Sequence, residues 1–248
     1  MSSVFEKYGA YYDLLYKDKN YKEETNYIFE LLNKFGVCSG GLLEFGSGTG
    51  IHARMLADLG YHVHGIEMSH EMVKRASVNE RFKCQQGDLT KVKLNKKFDA
   101  VLSLFHVMSY LNENQALNSA FSNAADHLNP GGIFIFDFWY LPAVLTQKPD
   151  IKVKRMADDK LEVTRIAEPV MKENSNIVEV NYEVFVRSMA SADVENFSES
   201  HNMRYLSLPE IDLFAKNNGF ERILSEEFLT GYAPSSSTWG VCVALRKI

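Results

Sequence analysis

The sequence predicts an α/β protein with a mostly parallel sheet, helices on both faces of that sheet, and an antiparallel β meander inserted after its fifth strand. Up to about residue 140, short apolar runs alternate with amphipathic segments, which is typical of βαβ units joined by right-handed crossovers. The runs Phe98–Phe105 and Ile133–Asp137 are nearly continuous, as expected for strands buried on both faces. From Ile151 to Leu208 apolar residues recur with period two between turn signals, which indicates about four antiparallel strands.

The chain opens with an aromatic-rich segment, Phe5–Tyr16, for which we expect a helix or a helix pair. A second segment has apolar residues from Tyr27 to Leu32 at helical spacing. The tyrosines of the first segment have two interpretations. They are either packing residues with hydroxyls at the surface, or a lid over a ligand site with one or two hydroxyls that reach the ligand.

The stretch from Leu42 to Gly50 is the feature around which the rest of the chain is arranged. An apolar run contains the acid Glu44 and breaks into a loop with three alternating glycines, and a helical pattern starts at Ile51. This order predicts a strand, a tight turn and a helix start, where a ligand can approach the glycine backbone and the free N–H groups of the helix. The dinucleotide-binding fingerprint needs a glycine where Ile51 stands, so a dehydrogenase is disfavoured.

Acidic residues also end the next two predicted strands. The segment Tyr61–Glu67 alternates like a strand and ends in a carboxylate roughly twenty residues beyond the glycine loop. At that spacing a carboxylate can accept both hydroxyls of a ribose. The strand that begins at Phe82 ends in Gly-Asp at Asp88, and Asn129–Gly132 gives a turn signal before the fifth strand.

Taken in order, these features resemble the motif series of the class I S-adenosylmethionine-dependent methyltransferases over about residues 38–140. The resemblance implies a Rossmann-like, mostly parallel sheet of seven strands and S-adenosylmethionine as cofactor. In that family Glu44 would take the cofactor's ammonium group, Glu67 its ribose hydroxyls and Asp88 its adenine amino group. The implied cofactor contacts are Glu44, Gly46, Gly48, Glu67, Met68, Asp88, Leu89 and Leu104.

The same resemblance suggests how the chain is divided. Residues 1–150 and 207–248 would form the cofactor-binding domain with an N-terminal helical lid. Residues 151–206 would form an inserted antiparallel β region that covers the substrate or pairs two subunits. The helix that starts near Ser207 and the strands Ile223–Leu229 and Trp239–Arg246 would complete the domain.

Four short stretches are similar to the sugar N,N-dimethyltransferases, which act on nucleotide-linked amino-deoxysugars: Tyr12–Tyr16, Leu104–Leu111, Phe136–Tyr140 and Phe197–His201. This second resemblance implies a nucleotide-linked aminosugar as methyl acceptor and adds Tyr21 to the cofactor contacts. The implied substrate contacts are Tyr12, Tyr16, Trp139, Tyr140 and His201. The chain has Asp-Phe-Trp where those enzymes tend to have Glu-Pro-Trp, which leaves the sugar open.

Methyl transfer from a sulfonium needs alignment above all, but an amine acceptor must be neutral to attack. The candidates for a catalytic role are therefore His127, His106 and Tyr16. His127 is placed at the end of a helix, where the helix dipole favours a charged imidazole. The resemblance to the sugar enzymes implies that it is the base, and the alternative is a capping residue. His106 directly follows the fourth strand, where the acceptor lies in this family.

Composition and charge narrow the possible partners, location and function of the protein. The net charge of −5 gives no attraction to nucleic acid or anionic membranes. Three scattered cysteines and the lack of a signal-peptide core predict a cytoplasmic protein, and no His, Cys and Asp cluster has metal-ligand spacing. We expect a small-molecule methyltransferase. An O-methyltransferase of another metabolite, or a cofactor-binding protein without transfer activity, remains open, as does a homodimer.

Overall fold

The computed structural model describes residue 9, residues 11–191 and residues 193–248. Phe5 and Tyr8, predicted to belong to the N-terminal helix, lie outside the described residues. The helices of the described part are α1 (Tyr12–Leu15), α2 (Tyr21–Lys34), α3 (Ile51–Asp58), α4 (His70–Arg75), α5 (Asn114–His127), α6 (Leu141–Gln147) and α7 (Leu208–Asn217). The first strands are β1 (Gly41–Phe45), β2 (His62–Glu67), β3 (Phe82–Gln86), β4 (Phe98–Ser103), β5 (Leu128–Tyr140) and β6 (Lys152–Ala157). The remaining strands are β7 (Leu161–Lys172), β8 (Ile177–Ser188), β9 (Val194–Leu206), β10 (Phe220–Glu227) and β11 (Gly240–Lys247).

The central sheet has the order β3-β2-β1-β4-β5, with all neighbours parallel. Strand β11 pairs antiparallel with β5, and β10 pairs antiparallel with β11. The strand order reverses between β1 and β4. In open α/β sheets, ligands bind at the carboxyl ends of the strands beside such a reversal.

Side chains that alternate along the strands build two hydrophobic cores, one on each face of this sheet. On β1, Leu43 and Phe45 pack in one core with α5 and α7, whereas Leu42 packs in the other with α2 and α3. On β5, Phe134 packs in the first of these cores and Ile135 in the second. Both faces of the parallel strands are therefore covered by helices, which explains their nearly continuous apolar runs.

The inserted segment is the predicted meander. Strands β6, β7, β8 and β9 pair antiparallel in sequence order. The end of β9 joins the central sheet, since Tyr205 and Leu206 pair in parallel with Trp139 and Tyr140 of β5. This confirms the predicted fold class, while the division into domains 1–150 with 207–248 and 151–206 stays a prediction. None of the helices in the described ranges is long and apolar enough to cross a membrane.

The turn predicted at Asn129–Gly132 is an irregular part of β5. Phe98 pairs with Leu128, and the register then jumps so that Ala100 pairs with Ile133. The extra residues are accommodated by a left-handed backbone at Gly131, φ 74°. The turn signal was thus real, but it marks a bulge within the strand rather than its start.

Candidate active site

One cavity of about 960 Å³ opens at the carboxyl ends of β1, β2 and β4. Side chains of α1 and of the meander strands β8 and β9 form its outer wall. Most of the residues predicted from the sequence line this single cavity. These are Tyr12, Tyr16, Tyr21, Glu44, Gly46, Gly48, Glu67, Met68, Asp88, Leu89, Leu104, His106, Trp139 and His201.

The glycine loop follows β1 directly and forms the floor of the cavity. Gly46 and Gly48 have φ angles of 70° and 57°, a left-handed conformation that other residues rarely adopt. A Cβ atom at Gly46 would lie 2.6 Å from both γ-methyls of Val107. Gly46 is therefore required both by its backbone conformation and by the close approach of the segment after β4.

Glu44 is a buried acid with an unsatisfied oxygen. Only 2% of the residue is exposed, and Oε2 has no hydrogen-bond partner among the described residues. Burial, and then the nearby Glu67, raise the pKa of the Glu44 carboxyl to about 8, while Lys19 acts in the opposite direction. A cationic ligand group beside Oε2 would satisfy this oxygen and stabilise its ionised form. The site therefore fits the ammonium group of S-adenosylmethionine.

Glu67 ends β2 and is held by the backbone around it. Its Oε2 accepts the N–H of Gly48 at 2.9 Å, and its Oε1 accepts the N–H of Ser69 at 2.8 Å. Burial raises the pKa of this carboxyl, and the backbone hydrogen bonds partly offset that rise. Each oxygen accepts one backbone hydrogen and retains capacity for another donor. This arrangement fits a bidentate acceptor of two ribose hydroxyls.

Asp88 borders the cavity beyond β3 and is fixed in the same manner. Its Oδ1 accepts hydrogen bonds from the backbone N–H and the hydroxyl of Thr90, at 2.9 and 2.6 Å. Its Oδ2 lies 3.1 Å from the ammonium of Lys91. Met68, 51% exposed, lies on the same rim. The rim thus offers a carboxylate and a thioether to a planar group such as adenine.

The N-terminal segment closes over the glycine loop through polar contacts. The hydroxyl of Thr49 donates to Asp13 Oδ1 at 2.8 Å. Behind it, Glu24 Oε2 lies 2.6 Å from Lys19 Nζ and 2.9 Å from His52 Nε2. The His52 ring in turn packs edge-on against Tyr21, with centroids 5.1 Å apart. These contacts place α1 and the start of α2 as a cover over the loop.

A second chamber of the cavity lies beyond Leu104, between β4, β5 and the meander. His106 Nδ1 lies 2.6 Å from Asp137 Oδ2, a close contact whose alignment falls short of a hydrogen bond. The rings of Trp139 and Phe105 flank His106, with centroids 6.3 and 5.6 Å from its own. The edge of Phe105 meets the ring of Tyr16. This side of the chamber is therefore aromatic, with the imidazole of His106 among the rings.

The meander supplies the opposite wall of this chamber. His201 is 1% exposed, and its Nδ1 lies 2.9 Å from the hydroxyl of Tyr110. Its Nε2 lies 3.4 Å from Glu199, and the Tyr182 ring packs edge-on against it. Arg165 donates to the hydroxyl of Tyr16 at 3.1 Å, which ties β7 to α1.

Two predicted site residues lie elsewhere. His127 is buried on α5, where its Nε2 accepts the N–H of Leu94 at 2.9 Å and its Nδ1 contacts the carbonyl of Asn123. Burial lowers its pKa despite the hydrogen bond to Asn123, so the expectation of a charged imidazole was wrong. Tyr140 packs in the core of the opposite face, because successive side chains of β5 alternate and Trp139 takes the cavity side.

Sequence reasoning gave no role to Asp137, Tyr110 and Tyr182, which the structure brings to this chamber. Asp137 showed the signal that had identified Glu67, namely an acid at the end of an apolar run. The two tyrosines gave no local signal, since their place depends on how the meander folds back. In the described ranges no group of three His, Cys, Asp or Glu side chains is arranged to hold a metal ion.

Comparison with known proteins agrees with the geometry of the cavity. Residues 42–132 match a family model described as a methyltransferase domain. The chain is 29% identical to the dTDP-3-amino-3,4,6-trideoxy-alpha-D-glucopyranose N,N-dimethyltransferase of Streptomyces venezuelae, over 77% of this chain and 80% of that one. The chain therefore contains a methyltransferase domain and is similar to S-adenosylmethionine-dependent methyltransferases.

Solved structures share the fold of this methyltransferase over nearly its full length. A crystal structure of an S-adenosylmethionine-dependent methyltransferase from Clostridium acetobutylicum superposes with a TM-score of 0.81, at 21% identity and with 98% of each chain covered. A cofactor-bound amino pentose methyltransferase from Micromonospora echinaspora gives a TM-score of 0.77, at 20% identity, with 100% and 99% covered. The inserted meander therefore belongs to a fold found in other methyltransferases.

Proposed function

We propose that this methyltransferase transfers a methyl group from S-adenosylmethionine to the amino group of a small molecule of the aminosugar class. The main observation behind the proposal is that the predicted cofactor site and the aromatic chamber are parts of one cavity. A glycine floor with Glu44, Glu67 and Asp88 leads into an aromatic chamber that contains His106 and Trp139. The relatives support the acceptor class, because one is named for a dTDP-linked aminosugar and another for an amino pentose.

In this proposal each part of the cavity has a separate task. Glu44 binds the cofactor's ammonium group and Glu67 its ribose, with Gly46 and Gly48 in backbone contact. Asp88, Leu89 and Met68 bind adenine, while Leu104 and Tyr21 lie beside the methionyl part. The bound cofactor supplies an activated methyl group on a sulfonium, so the protein needs mainly to align the acceptor and exclude water.

The acceptor would lie against Tyr12, Tyr16, Trp139 and His201, where the meander covers the chamber. Aromatic faces attract a cationic amine, and the edges of Tyr16 and Tyr182 offer hydroxyls to sugar oxygens. Nucleotide linkage of the sugar follows from the relatives and is part of the proposal. We also propose that the protein acts in the cytoplasm, where Cys38, Cys84 and Cys242 stay unpaired, and that the exposed edge strand β6 can pair two copies.

The proposal is tested by incubating the protein with methyl-labelled cofactor and a panel of aminosugar nucleotides, simple amines and phenols. Labelled methyl on the nitrogen of an aminosugar is the expected result. Label confined to phenols would replace N-transfer by O-transfer. Tight cofactor binding with no labelled product from any acceptor would favour a binding protein without transfer activity.

A further inference from the structure

A single carboxylate holds both the backbone and the ring of His106. Phe105 and His106 are consecutive non-glycine residues with left-handed backbone angles, φ 65° and 62°. Such angles are uncommon for bulky residues and need support from their surroundings. Asp137 Oδ2 accepts the backbone N–H of His106 at 3.1 Å and lies 2.6 Å from its Nδ1. The strained turn after β4 is thus arranged so that the imidazole lies against Asp137.

Asp137 is a carboxylate at neutral pH although it is almost fully buried. Burial raises the pKa of its carboxyl, but the ring and the backbone N–H of His106 outweigh burial and hold the pKa below its usual range. An ionised carboxylate only accepts hydrogens, so Nδ1 of His106 carries the hydrogen on that side. In the neutral form of this imidazole the lone pair is therefore on Nε2, in a ring that lines the cavity.

Carboxyl groups outnumber ammonium and guanidinium groups around this pair and along the cavity. The ammonium of Lys19 lies 3.7 Å from the centre of the Phe105 ring and is paired with Glu24. The charges of Glu44 and Asp137 also tend to raise the pKa of Lys19. The charge of Asp137 has the same effect on the pKa values of His52 on α3 and Cys242 on β11. The ionisable carboxyl groups that line the cavity among the described residues are Glu44, Glu67, Glu71, Asp88 and Glu113, whereas no lining residue there is Lys or Arg.

His201, the other histidine of the chamber, is differently placed. Both of its ring nitrogens already contact protein groups, the hydroxyl of Tyr110 and the carboxylate of Glu199. It is 1% exposed, whereas the His106 side chain is 23% exposed. Of the two, His106 is therefore the residue with a ring nitrogen available to an acceptor.

We propose that the acceptor enters as an ammonium ion and that His106, positioned by Asp137, removes its proton before methyl transfer. This inference rests on the proposed N-methylation. The proton moves from the acceptor nitrogen to Nε2 of His106, and the resulting imidazolium is stabilised by the Asp137 carboxylate. The freed lone pair forms the bond to the methyl carbon, and the electrons of the broken carbon–sulfur bond stay on S-adenosylhomocysteine. His106 then releases its proton to water.

The direct test is His106→Asn, because asparagine tolerates the left-handed backbone at this position. Loss of a general base lowers turnover by about 100-fold at pH 7. The deficit shrinks as the pH approaches the pKa of the acceptor amine, since the acceptor then arrives neutral. Cofactor affinity, measured by calorimetry, stays as in the wild type. The matched control is His62→Asn, at the exposed start of β2, which leaves the pH profile unchanged.

Asp137→Asn separates positioning from catalysis. Without the carboxylate, the protonated form of His106 is less stable. In the pH profile of kcat/KM, the acidic limb therefore moves to lower pH, and the plateau value of kcat/KM falls. If this buried variant does not fold, the profile of His106→Asn decides alone. The inference is overturned if His106→Asn turns over as fast as the wild type, or if its loss of turnover is the same at every pH. In that case turnover by the wild type still upholds the proposed function. Absence of wild-type turnover on every amine overturns both.

Discussion

Glu44 and Glu67 are buried carboxylates at the ends of neighbouring strands, and their different partners give them different properties. Glu67 accepts two backbone N–H groups, whereas Glu44 has an oxygen without a partner among the described residues. The nearby Glu67 carboxylate further raises the pKa of Glu44. Glu44 is therefore the residue at which ligand binding and proton release are expected to be coupled.

Cofactor affinity is predicted to rise with pH between about 6 and 8. The pKa of Glu44 is raised to about 8 in the free protein, so the proton competes with the cofactor's ammonium group below that pH. Above about 8 the α-amino group of the cofactor itself loses its proton, and the gain ends. Calorimetry in buffers of different ionisation enthalpy will report proton release on binding near pH 7.

Glu44→Gln is the matched variant for this prediction. Its affinity should be about 10- to 100-fold weaker near pH 8, since a charge-assisted hydrogen bond is lost, and it should show no proton release linked to position 44. Because the folded-state pKa of Glu44 is raised above its unfolded value, ionising it costs stability as the pH rises from about 4.5 through 8. The variant without cofactor should therefore lose less stability than the wild type over this pH range. Equal pH dependence in both proteins would contradict this account of Glu44.

At the scale of elements, the glycine loop and the turn after β4 form one unit. Gly46 leaves β1, and Val107 begins the short 3-10 helix that follows His106. Their contact is so close that no side chain fits at Gly46. The cofactor floor and the proposed acceptor chamber are thereby held at a fixed separation.

Gly46→Ala is predicted to destabilise the protein more than Gly219→Ala. Both glycines have left-handed backbones, φ 70° and 72°, but a Cβ at Gly219 meets nothing within 4 Å. Each variant carries about 1–2 kcal/mol of backbone strain, and Gly46→Ala adds about 1–3 kcal/mol of overpacking against Val107. Chemical unfolding measures the difference, and cofactor affinity should fall for Gly46→Ala alone. Equal losses in the two variants would show that the contact with Val107 is unimportant.

Over the whole molecule, the features that the sequence predicted well are those encoded locally. Strand-end acids such as Glu67 and Asp88 follow directly from the alternation of strands and helices, and the parallel sheet brings their ends together. Tyr140 was wrongly predicted to line the cavity. Adjacent side chains of a strand point to opposite faces, and the sequence does not show which of Trp139 and Tyr140 faces the cavity. His127 lies away from the cavity, because the helix that leads into the parallel strand β5 ends at the amino edge of the sheet, opposite the carboxyl ends where the cavity opens.

The chamber beyond Leu104 needed the full structure. Tyr110 and Tyr182 are far apart in the chain, and both contact His201 of β9, the strand that returns from the meander to pair with β5. No periodicity or spacing in the sequence predicts these contacts between the meander and the segment after β4. A methyltransferase of this architecture thus has a cofactor site that sequence can locate and an acceptor site that depends on long-range packing.

The most direct test of the central claim, that this cavity binds S-adenosylmethionine through its strand-end carboxylates, is calorimetric titration of the wild type and Glu67→Ala. Glu80→Ala, an exposed acid away from the cavity, is the control. We predict one binding site in the wild type and the control, and affinity at least about 100-fold weaker in Glu67→Ala, because two charge-assisted hydrogen bonds to ribose are lost. Unchanged affinity in a folded Glu67→Ala protein would contradict the assignment of this cavity.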